Sequence, residues 1–277
     1  MLAETPIHPG AGRSTGFVDL PVARESITEY PVIVGSSLKG ALKDRAREKW
    51  PGKKAEKGED KTSSEEVAKA FGKQDDAGDL IVSDARLLLL PVRSLTGQYK
   101  WATCPYLLER LDRDIRRSGL AGKLKAPIMN KKPKMGTVQT EGTGKIFLEE
   151  REFEISEKVE RSIIESISQL ISSKASAERL AGQLIVLHDD DFKWFASYGL
   201  PINARNALKE DTKTTIPGAL WYEETLPVDS VFYTLFLERG NGAIDLVKTL
   251  VNERPYLQVG GNETVGQGWF ALSLVGE

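Results

Sequence analysis

The apolar residues of this chain change their spacing repeatedly, and the order of the changes excludes a regular alternation of β and α units. Strand-like runs occur in PVIV (31–34) and on both sides of Asp84 and Arg86 in DLIVSDARLLLLPVRSL. Others are KIFLEEREFEI, where apolar and charged residues alternate, QLIVL ahead of the acidic turn HDDD, and SVFYTLFLE. Helical spacing lies between them. Leu38, Leu42, Ala46 and Trp50 make one stripe, opened by Gly35-Ser36-Ser37 and closed by Pro51. Leu107, Leu108, Leu111 and Ile115 make a second, with Arg110, Arg113, Arg116 and Arg117 on its other faces. Ile163, Ile164, Ile167, Leu170 and Ile171 make a third, predicting one helix over 157–180. This interspersed order predicts an α+β fold. The 277 residues are read as a single domain over 1–277 with a sizeable core. Within it, the charged stretch 51–78 reads as a mobile surface insertion with one helical turn around 65–71. Residues 205–220, RNALKEDTKTTIPGAL, are polar between strand-like runs and read as a protruding hairpin.

Several classes of function drop out at once. Cys104 is the single cysteine, which excludes an internal disulfide and a thiolate-rich metal site. No apolar run approaches the length of a membrane span, and no basic segment followed by an apolar one opens the chain, so no membrane partner is expected and the location expected is cytoplasmic. A net charge of −2 argues against nucleic acid on its face. It hides an asymmetry: residues 100–134 hold ten Lys or Arg against three acids, and residues 141–191 hold twelve acids against six bases. The first block predicts a basic face for phosphates and the second an acidic face for a neighbouring subunit; two ordinary solvated surfaces are the alternative.

Three places carry residues suited to chemistry. The turn Gly35-Ser36-Ser37-Leu38-Lys39-Gly40 feeds a helix N-terminus, where free N–H groups, two hydroxyls and an ammonium suit a phosphate, although the spacing is not that of a P-loop. An ordinary serine N-cap is the plainer reading. GGNETVGQG at 260–268 has more glycine than a hairpin turn needs and reads as a binding loop. His8, Asp19 and Glu223 are candidates for moving a proton, orienting a hydroxyl or holding a divalent cation. Each of these three, taken alone, also suits a turn or a core position.

Together the segments resemble a known family. H-P-G-x-G from His8, V-D-L-P-V-x-R-E around Asp19, and P-V-I-V-G-S-S-L-K-G-A-L-K are similar to the N-terminal signature of the RAMP superfamily of CRISPR proteins. L-L-P-V-R-S-L, W-A-T-C-P-Y-L-L-x-R-L, L-W-Y-E-E and G-G-N-E-T-V-G-Q-G extend the resemblance along nearly the whole chain, most closely to the repeated backbone subunit of the type III-B (Cmr) effector. Two features depart from the family pattern: the first strand before His8 is short, and Thr225 stands where some members have an aromatic residue.

The resemblance implies a modified RRM-like (ferredoxin-like) core with large insertions, and makes 205–220 its thumb. It implies guide (crRNA) and target RNA as partners, with further copies of the chain in a helical filament and other Cmr subunits beside them. It implies endonucleolytic cleavage of bound target RNA at regular intervals with a divalent cation, Mg²⁺ or Mn²⁺. Asp19 matches the essential aspartate, as base, orienter or metal ligand, with His8 and Glu223 near the cleavage site. Lys39, Ser36, Ser37, Gly35, Gly40 and Arg24 are then guide contacts, and Gly261, Asn262, Gly266 and Gly268 a second RNA contact. A scaffold without catalysis and a guide-processing endoribonuclease are the alternatives within the same family.

Overall fold

Strand Ala85–Ser94 organises the fold, because its two halves serve different neighbours. The computed structural model describes residues 1–52, 64–73 and 75–276. The first half of this strand pairs antiparallel with Val231–Tyr233 on one side and Val32–Ile33 on the other. Leu2–Ala3 follows beyond Val231–Tyr233, then Trp269–Ala271 and the edge strand Tyr256–Gln258. The second half pairs with Gly97–Thr103, and from there the sheet runs through Leu184–Leu187, Thr137–Gln139, Arg151–Glu157 and Lys145–Leu148. Leu148 pairs back to Ser94, which closes a barrel-like ring. The LLLL run is explained by burial on both faces: Leu87 and Leu90 enter one apolar core, Leu88 and Leu89 another.

The expected α+β class holds, with helices on both cores. Gly35–Lys49 and Ala243–Glu253 bury Leu38, Leu42, Val247 and Leu250 in the first. Pro105–Arg117, started by a proline at its first position, buries Leu108, Leu111 and Ile115 in the second. Arg110 of that helix is buried and pairs with Glu25 at 2.5 Å, so it does not share the exposure of Arg116 and Arg117.

Several elements differ from the sequence reading. The helix expected over 157–180 is two, Arg161–Ser168 and Lys174–Gln183, because Ser173 caps a new N-terminus by accepting from the Ser176 N–H. SVFYTLFLE is also broken. Val231–Tyr233 joins the large sheet, whereas Phe236–Glu238 pairs with Leu80–Val82, and the Leu235 N–H between them donates to Ser83 Oγ at 2.9 Å. The acidic turn after QLIVL is the first turn of helix Asp189–Tyr198, where three aspartates meet the positive end of the helix dipole. In the stretch 51–78, residues 53–63 and 74 lie outside the described residues; helix Glu65–Phe71 sends Val67, Ala70 and Phe71 into the core.

The two charge blocks meet along one seam. Lys125 pairs with Glu165 at 2.8 Å and Lys131 with Glu157 at 2.6 Å, while Asn130 donates to Glu160. A separate two-stranded hairpin, Ile202–Leu208 with Thr215–Glu224, stands out from this body. Its outer residues are exposed and its last two, Glu223 and Glu224, are buried. Residues 205–220 lie within it.

Candidate active site

The buried base of the hairpin is where distant parts of the chain meet. Residues 10–22 form a loop closed by the Gly10–Val22 bridge, by Ala11 N–H donating to Pro21 O at 3.1 Å, and by Ser14 N–H donating to Asp19 O at 2.9 Å. Its returning arm lies parallel to the hairpin: Leu20 N–H donates to Tyr222 O, and Glu224 N–H donates to Leu20 O at 3.0 Å. Asp19 is half-buried there, and its Oδ2 accepts from the Tyr222 N–H at 2.7 Å. Among the described residues Asp19 Oδ1 has no partner.

Because neighbouring side chains on a strand point to opposite faces, Glu223 and Glu224 serve different segments. Glu223 Oε1 accepts from Asn262 Nδ2 and from Arg205 Nη2 at 3.4 Å. Asn262 also donates to Gln267 Oε1 at 2.8 Å, which joins the glycine loop to the hairpin. Asn262 sits at φ 64°, a left-handed conformation that asparagine tolerates. Glu224 accepts from Val22 N–H at 3.0 Å through Oε2 and from Arg24 Nη2 at 2.6 Å through Oε1. The Glu224 carbonyl oxygen lies 2.8 Å from His8 Nδ1. A carbonyl can only accept, so Nδ1 carries a hydrogen and is the donor. His8 is buried, and its own carbonyl accepts from Gly261 N–H at 2.9 Å. Gly260 is at φ +92°, and a Cβ there would stand 2.6 Å from His8 O, so only glycine lets the loop close over His8.

A model of the RAMP superfamily matches residues 1–271. The chain belongs to that superfamily. Among RAMP relatives it is 34% identical over 284 aligned residues to the CRISPR system Cmr endoribonuclease Cmr4 of Pyrococcus furiosus, an alignment spanning 98% of this chain and 92% of the relative. It superposes on oligomeric Cmr4 from Pyrococcus furiosus with a TM-score of 0.72 and 29% identity, covering 99% of this chain and 95% of the other. It shares its fold with a chain of the type III-B Cmr-beta complex bound to cognate target RNA, at TM-score 0.76, 22% identity, and coverage of 98% and 94%.

Of the residues that the RAMP signature singles out, His8, Asp19, Glu223, Asn262 and Arg24 are joined through the hairpin base. Gly261 adjoins His8, while Gly266 and Gly268 complete the same loop beyond the short 3-10 turn Glu263–Val265. Residues 35–40 are not a turn ahead of the helix but its opening turn. Helix Gly35–Lys49 has Val34 as its N-cap with no side-chain cap bond, so neither Ser36 nor Ser37 caps it, and its attachments lie elsewhere. Gly35 N–H donates to Asp84 Oδ1 at 2.7 Å, and a Cβ on Gly35 would stand 2.5 Å from Val82 O. Lys39 Nζ donates to Leu80 O at 2.7 Å. Burial, then the nearby Arg239 charge, hold the Lys39 ammonium below the usual lysine pKa. Ser36 and Ser37 are exposed and Gly40 is half-buried. Sequence reasoning passed over Glu224 and Asp84. The signal for Glu224 was the acid doublet on a strand, and for Asp84 a carboxylate breaking an apolar run beside a helix start.

Proposed function

We propose that this RAMP protein is the repeated backbone subunit of a type III-B CRISPR effector and that it cleaves bound target RNA at the base of its hairpin. The observation that carries the reading is Asp19, a carboxylate pinned by one oxygen to the hairpin and open at the other. An exposed hairpin that splays a target strand delivers a loosened ribose to that open oxygen. Asp19 then takes or orients the 2′-hydroxyl proton as O2′ attacks its own phosphorus. The P–O5′ bond breaks, leaving a 2′,3′-cyclic phosphate on one fragment and a 5′-oxygen on the other that takes a proton from water. The gain is from alignment more than from new chemistry. His8, held through Nδ1 by the Glu224 carbonyl, and Glu223, held by Asn262 and Arg205, keep the surroundings fixed.

A divalent cation, Mg²⁺ or Mn²⁺, fits as a guest of the RNA. Among the described residues no three His, Cys, Asp or Glu groups gather to hold a metal, so Asp19 would supply one oxygen and the phosphates and water the others. Bound there, it would supply charge neutralisation at the phosphate being cut.

The strand order Trp269–Ala271, Leu2–Ala3, Val231–Tyr233, Ala85–Ser94 supports an RRM-like (ferredoxin-like) core. Numbered along the chain this order is fourth, first, third, second, with helix Gly35–Lys49 after the first strand and Ala243–Glu253 before the fourth. Insertions then account for the barrel-like ring and the thumb. The likeness to an oligomeric relative supports stacking of copies along a guide RNA, with sequence read by base pairing and the protein holding the backbone. In this reading the 35–40 turn and the glycine loop face RNA, and the complex works in the cytoplasm.

The test is cleavage of a guide-complementary RNA by the reconstituted complex, comparing wild type with Asp19→Asn at equal target binding. Lost cutting with retained binding supports the nuclease assignment. Unchanged cutting leaves a scaffold and removes Asp19 from the mechanism.

A further inference from the structure

We propose that Arg24 is a positioning residue, the bolt that holds the Asp19 loop against the hairpin, and that its guanidinium is not spent on RNA phosphate. The inference rests on the Asp19 reading above. Arg24 follows the loop by two residues, and its side chain is 22% exposed. Its guanidinium spans three places that no other side chain connects among the described residues. Nη1 donates to Ala196 O at 2.6 Å, in helix Asp189–Tyr198, and to Glu29 O at 2.9 Å. Nη2 donates to Glu224 Oε1 at 2.6 Å, and the Glu224 side chain is only 8% exposed.

Glu224 passes that anchorage on. Its other carboxylate oxygen accepts from Val22 N–H at 3.0 Å, its own N–H donates to Leu20 O at 3.0 Å, and its carbonyl accepts from His8 Nδ1 at 2.8 Å. One residue therefore holds Leu20 and Val22 of the Asp19–Leu20–Pro21–Val22 arm and also orients the His8 ring through Nδ1. Without Arg24, the Glu224 carboxylate is a nearly buried charge with a single backbone donor, and a charge left so turns toward water. The Val22 anchor goes with it. A displacement of about 1 Å at a reacting group costs on the order of a hundredfold in rate, so the loss is felt at Asp19 although Arg24 never meets substrate. Lysine does not replace the fork: three acceptors in different directions need the planar guanidinium. Three of the five guanidinium N–H donors, both on Nη1 and one on Nη2, are committed to these bonds.

Arg24→Ala and Arg24→Lys, each in the reconstituted effector with guide and complementary target, test this. Both are expected to bind target with unchanged affinity and salt dependence, and to cut bound target slower by about tenfold or more. Hydrogen exchange on the same complexes is expected to show the Leu20 and Val22 amides opening about tenfold faster, with the Trp101 strand unchanged. If Arg24→Ala does not fold, Glu224→Gln breaks the same link while conserving shape. Weakened RNA binding with a shallower salt slope and normal cutting of bound target overturns the proposal, and so do unchanged exchange and unchanged cutting. The exchange measurement needs no cleavage. Loosened amides in a protein whose Asp19→Asn variant cuts normally would therefore keep the bolt and discard the Asp19 reading.

Discussion

The hairpin base and the 35–40 turn are both glycine-flanked, polar and fed by a strand, yet they dispose of their polar groups in opposite ways. At the hairpin base acids, amides and imidazole bond to one another across the chain, and Asp19 Oδ1, Glu223 Oε2, His8 Nε2 and the buried Arg205 Nε are without a hydrogen-bond partner among the described residues. At the turn, the protein's own carboxylate, Asp84, takes the Gly35 N–H at the helix start, and Lys39 reaches inward to Leu80 O. The first place uses its bonds to tie three distant segments together, with Asp19 Oδ1 left at the half-buried edge. The second has donors that are partly committed, so any phosphate it holds competes with Asp84.

The sharpest way to break this contrast is Asp19→Asn, expected to slow target cleavage by about 10²–10⁴-fold with assembly and target binding intact, measured as single-turnover rate. Next is Glu223→Ala, which leaves Arg205 and Asn262 without their shared acceptor. It is expected to cost about 1–2 kcal/mol in denaturant unfolding, because a buried charged acceptor is withdrawn from Asn262 and from the partly exposed Arg205. Asp84→Ala acts at the other place. It should lower stability by about 1 kcal/mol through loss of the acceptor at the helix start, and tighten guide binding if the turn is a phosphate cradle. Stability unchanged by Asp84→Ala would mean the helix start does not depend on that carboxylate. Lys39→Ala is expected to reduce the slope of log affinity against log salt by about one, read by guide-RNA titration at several salt concentrations. Smallest of all is Cys104: burial, then the Asp189 charge, push its thiol well above the usual range, so iodoacetamide at neutral pH should leave the folded protein unlabelled by mass spectrometry.

What could be read in advance divides along locality. The α+β class, the helix carrying Leu38, Leu42 and Ala46 and the hairpin around 205–220 follow from spacing and turn chemistry, which act between near neighbours in the chain, although that helix already begins at Gly35, without the expected serine cap. The breaks do not. Ser83 interrupts SVFYTLFLE from 152 positions away through the Leu235 N–H, and nothing in that run foretells it. Glu223 and Glu224 are likewise indistinguishable as a doublet; which faces Asn262 and which faces Arg24 depends on the strand's roll against segments more than 190 residues distant in the second case. The charge blocks were visible, but their mutual pairing through Lys125–Glu165 and Lys131–Glu157 was not. The grouping of His8, Asp19 and Glu223 came from family resemblance, since each residue alone suits a turn or a core.

Strand Ala85–Ser94 also decides how this molecule comes apart. Its first half is sandwiched between Val231–Tyr233 and Val32–Ile33, and its second half is sealed into the ring by Gly97–Thr103 and, at Ser94, Leu148. Neither sheet region can melt without stripping hydrogen bonds from a strand the other still needs. Calorimetry should accordingly record one transition, with van't Hoff and calorimetric enthalpies in agreement, where two stacked but separate sheets would give two.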